Sequence, residues 1–147
     1  MKLSSKVFKE GDKIPEDYTK NGADKSPPLH FDDVPEKAKS LALIMDDPDA
    51  PSGTFNHWLL FNVSPSVHDI REGSAPVMAT QGRNDYGEVD YGGPKPPSGE
   101  HRYFFKAFAL DTVLPLSRGV KRDELEQAMS GHILEQATLM GRYAARA

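Results

Sequence analysis

Hydrophobic positions concentrate in three dense runs. Ser40 to Asp46 (SLALIMD) is aliphatic without polar alternation, the pattern of a strand buried on both faces. Asn56 to Val63 and His101 to Leu110 are aromatic and β-branched, and each run is bounded by Pro, Gly, Asn or Asp, so all three read as strands. Lys2 to Phe8 reads as a short edge strand and Leu29-His30-Phe31 as a brief extended piece, with residues 9 to 28 as loop between them. Residues 64 to 100 hold five prolines and six glycines in 37 positions, and Val77 to Gln81 is the best candidate there for a hidden strand.

The last third changes character. Leu125 and Met129 lie four apart and acidic residues stand in the first turn, which predicts a helix over Lys121 to Met129 stopped by Gly131. Residues 132 to 143 have helical propensity, but the glycine break and short length also allow a final strand. Dominant strands with one late helix predict an antiparallel β-sandwich or barrel.

Composition narrows the class. At 147 residues the chain has the length of one domain, 1 to 147, and it has no cysteine, which excludes disulfides, thiolate metal sites and a cysteine nucleophile. Net charge is −4 and no basic run exceeds two residues, so nothing marks a nucleic-acid surface. The longest aliphatic run, Leu41 to Met45, is far below a membrane span, and the lysine-rich start lacks an apolar signal region; a cytoplasmic setting is expected. No Walker loop, G-x-G-x-x-G, G-x-S-x-G or H-E-x-x-H sequence is present, and no cofactor is expected.

The candidate chemistry lies where two rigid loops each feed a histidine at the start of a strand. Asp47-Pro-Asp49-Ala-Pro-Ser-Gly precedes His57, and Gly92-Gly-Pro-Lys-Pro-Pro97-Ser-Gly precedes His101. Prolines fix such loops and glycines let backbone amides approach a ligand; a cis peptide bond, if the chain has one, belongs in this cluster. Strand alternation places His101 and Tyr103 on one face, and puts His57 with Leu59 and Phe61 on one face and Trp58 on the other. Two imidazoles, a phenol, two carboxylates and loop amides suit a small anion, above all a phosphate monoester. Each piece alone is ordinary turn or strand-start chemistry; the pairing is the signal. Asp47, Asp49, His57 and His101 are also metal-ligand types, but their spacing matches no strong metal pattern.

The stretches DPDAPSGTFNHW (47–58) and GPKPPSGEHRY (93–103), with Ser26-Pro-Pro-Leu29 and the Gly131-His-Ile-Leu tail, resemble the phosphatidylethanolamine-binding protein family, specifically its short bacterial and archaeal branch. The resemblance implies a sandwich of two antiparallel sheets with Greek-key connections and one short helix near the C-terminus. It also implies a closing strand over 133 to 142 and a small anion pocket at one end. Matching positions assign that pocket to Asp47, His57, His101, Tyr103 and Pro97, with Asp49 in the same motif. The sequence has no match to the long C-terminal helix that contributes to the pocket rim in eukaryotic members. The implied function is non-enzymatic binding of a phosphate- or carboxylate-bearing ligand, with a regulatory role; the alternatives are a kinase or serine protease partner engaged through surface loops, and a hydrolase using the pocket histidines. Assembly as a homodimer is left open by the sequence.

The negative charge of Asp47 at an anion site also sets an electrostatic expectation. Either Asp47 holds an imidazole protonated and oriented as a donor to the anion, or it accepts a hydrogen bond from a monoprotonated phosphate, and in either arrangement the nearby carboxylate should raise the histidine pKa.

Overall fold

The computed structural model describes residues 1–146. In chain order it contains strand β1 (Lys2–Ser4), a one-turn 3-10 helix (Glu16–Tyr18), β2 (Leu29–Asp32), β3 (Ser40–Asp47), β4 (Phe55–Val63), β5 (Asp69–Ile70), β6 (Thr80–Gln81), β7 (Glu100–Leu110), helix α1 (Arg122–Met129) and β8 (Ile133–Ala144). The strands form two antiparallel sheets, ordered β1-β2-β5 and β6-β4-β3-β7-β8. In the larger sheet β3, β4 and β6 follow one another across the sheet and β7 returns beside β3, a Greek-key connection.

β3 is the centre of the molecule, and all eight of its residues are buried. Leu41, Leu43 and Met45 face the small sheet, where they meet a core containing Leu3, Leu29, Phe31 and Ile70. Ala42 and Ile44 face the other way, into a second core closed by Leu114, Leu125 and Met129. A strand covered on both sides needs no polar alternation, which is why its sequence shows none. Each fully buried leucine or isoleucine contributes roughly 1.5–3 kcal/mol.

The closing segment is a strand rather than a helix. Gly131, at φ +83, ends α1, and β8 then pairs with β7 from Leu110↔Ile133 to Glu100↔Ala144. The ladder and the inward packing of Leu139 and Tyr143 outweigh helical propensity.

Three local expectations change. The first strand stops at Ser4. The hidden strand shrinks to Thr80–Gln81, because Val77 and Met78 stand 88% and 89% exposed in a turn, Met78 with φ +71. The face assignment of β4 also reverses near its start. Asp46 pairs with Asn56 but Met45 pairs with Trp58, so His57 is an extra residue in a bulge. The bulge brings His57 and Trp58 to the same side of the sheet. Trp58 joins the inter-sheet core while Leu59 and Phe61 join the helix-side core. All described peptide bonds are trans.

Candidate functional site

At the end of the sandwich where β3 finishes and β4 and β7 begin, a pocket of about 300 Å³ opens. Asp47, His57, His101, Tyr103 and Pro97 all line it. They come from three adjacent strands and one loop, and two backbone devices bring them together. The first is the bulge at His57. The second is the pair Gly92-Gly93: Gly92 donates its N–H to the His57 carbonyl (3.0 Å), and Gly93 donates its own to Asp24 Oδ1 (2.8 Å). A Cβ at Gly92 would run into the Tyr86 ring, and one at Gly93 would lie 2.6 Å from both Asp24 Oδ1 and the Tyr18 carbonyl. These two positions require glycine for close approach.

The two histidines are held differently. His101 Nδ1–H donates to Asp47 Oδ2 at 2.6 Å, with both side chains buried, and Asp47 Oδ1 accepts the Asp49 N–H at 2.8 Å. His57 Nδ1–H donates instead to the Gly92 carbonyl at 2.6 Å. Burial pushes the His57 imidazole below its ordinary pKa, against the Gly92 carbonyl and the charges of Asp47, Asp85 and Asp46. The expected elevation by a nearby carboxylate is therefore reversed at His57. Desolvation of a ring only 3% exposed outweighs the Coulombic pull. Burial and the Asp47 charge raise the Tyr103 phenol well above its ordinary value, so it stays a neutral hydroxyl.

Asp49 is not part of the lining. Its carboxylate grips Arg102 on β7, accepting Nε–H and an Nη2–H at 2.9 Å each and the Arg102 backbone N–H at 2.9 Å. The Arg102 guanidinium holds this carboxyl down at about 2. Asp49 ties the loop after β3 to β7 rather than facing a ligand. Asp46, one residue before Asp47, points to the opposite face and pairs with Lys106 and Arg122.

Sequence reasoning misses three aromatic or charged lining residues. Phe55 stands two residues before His57 on the same strand, and alternation could have found it. Tyr86 packs its ring 4.7 Å from Phe55 and 5.6 Å from His57 and donates its hydroxyl to the Gly93 carbonyl. It is placed by buried Asn84, whose Oδ1 accepts the N–H groups of Tyr86 and Glu88, and no sequence signal marks it. Lys95 lies inside the second loop motif. It is exposed and makes no ion pair among the described residues, whereas Arg102 and Lys20 are paired with carboxylates.

Residues 4–144 match the sequence profile of the family described as phosphatidylethanolamine-binding protein. The chain belongs to this family. It is 48% identical to a UPF0098 protein of Methanothermobacter thermautotrophicus and 49% identical to one of Chlamydia muridarum, over 97% of this chain and 98% of each relative. Among solved structures it is similar to a phosphatidylethanolamine-binding protein homologue from Chlamydia trachomatis, with TM-score 0.94 and 46% identity over 99% of this chain and 97% of that one. It is also similar to Escherichia coli YbcL, described as a new member of the mammalian family, with TM-score 0.92 and 28% identity over 99% and 98%. Among the described residues, no helix is long and apolar enough to cross a membrane.

Proposed function

We propose that the protein binds a small phosphate-type anion, without chemical turnover, in the pocket formed by Asp47, His57, His101, Tyr103, Pro97 and Lys95. The observation that carries this reading is Lys95, a pocket-lining cation with no carboxylate partner among the described residues. The objection to an anion here is Asp47. A free carboxylate ~4 Å from a phosphate would repel it by about 4 kcal/mol at an effective dielectric near 20. Asp47 is not free: both oxygens accept hydrogen bonds, and the Oδ2 bond turns the His101 ring and fixes its tautomer.

Calorimetric titration with phosphoethanolamine tests the reading. His57→Ala and His101→Ala should each weaken binding about ten- to a hundredfold, the loss of one charge-assisted hydrogen bond of ~1.5–3 kcal/mol. Unchanged affinity in either variant removes that histidine from the site.

A second reading draws on the exposed Val77–Met78 turn, an apolar projection suited to a protein partner such as a protease. The positive φ of Met78 departs from the extended backbone of a substrate-like strand, which counts against protease inhibition. Full activity of trypsin- and chymotrypsin-like proteases at micromolar protein would remove that reading.

A further inference from the structure

One pocket imidazole offers a ligand a lone pair rather than a proton. The neutral His57 ring spends its one N–H on the Gly92 carbonyl, so Nε2 carries a lone pair, and no described residue donates to it. Asp47 is an acceptor already engaged at both oxygens. The His101 Nδ1–H is likewise committed, to Asp47. The Lys95 ammonium at the rim has no carboxylate partner among the described residues and can donate to a ligand.

A fully deprotonated oxyanion entering this pocket would set its own lone pairs against the Nε2 lone pair. An oxyanion that keeps one proton supplies the donor the ring requires. We propose that the site selects tetrahedral oxyanions that retain a proton, with the ligand O–H donating to His57 Nε2, and that it discriminates against sulfate. The inference rests on the phosphate-pocket reading above and adds the protonation state of the ligand.

The surroundings of His57 keep the ring an acceptor. Asp47 approaches from β3, with Asp46 acting only by its charge from the opposite face; His101 and Tyr103 approach from β7, and Asp85, Tyr86 and Lys95 from the segment between β6 and β7. The Gly92 carbonyl and the three carboxylates favour a protonated ring, and burial opposes it more strongly than they favour it. Free sulfate carries no proton near neutrality. Inorganic phosphate keeps at least one throughout pH 5.5–8.5, and a phosphate monoester loses its last one above a pKa of about 6.

Titration of the whole protein with inorganic phosphate, sulfate and phosphoethanolamine from pH 5.5 to 8.5 tests the proposal. Phosphate should bind at least about tenfold tighter than sulfate at pH 7, because a buried acceptor facing an anion without a donor is left unsatisfied. Phosphoethanolamine affinity should fall as pH rises above 6, more steeply than that of inorganic phosphate. His57→Gln places an amide that can turn its NH₂ toward the ligand, and should bring sulfate to within about threefold of phosphate. Equal affinities for sulfate and phosphate in the unmodified protein would overturn the proposal. So would discrimination that persists undiminished in a folded His57→Gln protein. If phosphate binds nowhere in the pocket, the phosphate-pocket reading itself fails and this inference falls with it; phosphate and sulfate binding there equally would remove only the inference.

Discussion

At the scale of single residues, the same side chain type does two jobs. His101 is oriented by a carboxylate and His57 by a carbonyl, and burial leaves His57 neutral. On the proposed function, Asp47 acts on the ligand through His101. Asp47→Asn should bind phosphoethanolamine less tightly at neutral pH although it removes a negative charge, because an amide no longer fixes which imidazole nitrogen carries the proton. Tighter binding would make the carboxylate a bystander. Lys95→Met should also weaken binding and flatten its dependence on ionic strength, since the variant lacks the one unpaired cation among the described pocket-lining residues. Isothermal titration at about 20 and 200 mM salt separates these two effects. An unchanged salt slope would show that the ammonium does not contact the anion.

At the scale of elements, the site depends on loops anchored to strands. The Asp49–Arg102 clamp fastens the loop after β3 to β7, and with the Asp49 carboxyl held down at about 2 it persists well into acid. Asp49→Asn should preserve the fold and lower ligand affinity by less than either histidine substitution, because the variant loses the bidentate grip on Arg102 but no pocket-lining group. Calorimetric titration of this variant with phosphoethanolamine checks it, and an effect as large as that of His57→Ala would place the carboxylate in contact with the ligand. The elements themselves were unequally legible. β3 was clear because double-sided burial writes an unbroken aliphatic run, and α1 because its acidic first turn and Gly131 bracket it. The pocket residues on strands were legible through two paired motifs. The bulge at His57 was not, since the register of β4 is set by its partner β3 and not by its own residues. Tyr86 was invisible for a related reason: the Asn84 side chain and the Gly93 carbonyl position it through side-chain-to-backbone hydrogen bonds that leave no periodic trace. Val77 and Met78 misled because apolar side chains in a turn look like a strand until their exposure is known.

At the scale of the whole molecule, two histidines couple folding to pH with opposite signs. The His57 pKa is depressed by burial, so its contribution to stability is present above the unfolded value of about 6.5 and is lost as pH falls through the folded value. The His30 pKa is raised, first by its bond to Asp69, its cross-strand partner on β5, and further by Asp32, so its contribution is present below about 6.5 and is lost as pH rises through the folded value. Urea unfolding at pH 5.5 and 7.5 should show that His57→Phe loses less stability on acidification than the unmodified protein does. An equal loss would mean that the buried His57 ring takes up its proton as readily in the folded state as in the unfolded one. On the proposed function, the two sheets and both cores hold one end of the sandwich open as an anion pocket, and backbone amide NMR during titration with inorganic phosphate tests that reading most directly. Shifts should concentrate on the loop from Asp47 to Phe55, on His57, and on Lys95 to Tyr103. No shifts at millimolar phosphate, or shifts confined to the groove of Lys6, His30 and Arg71 beside β2 and β5, would contradict it.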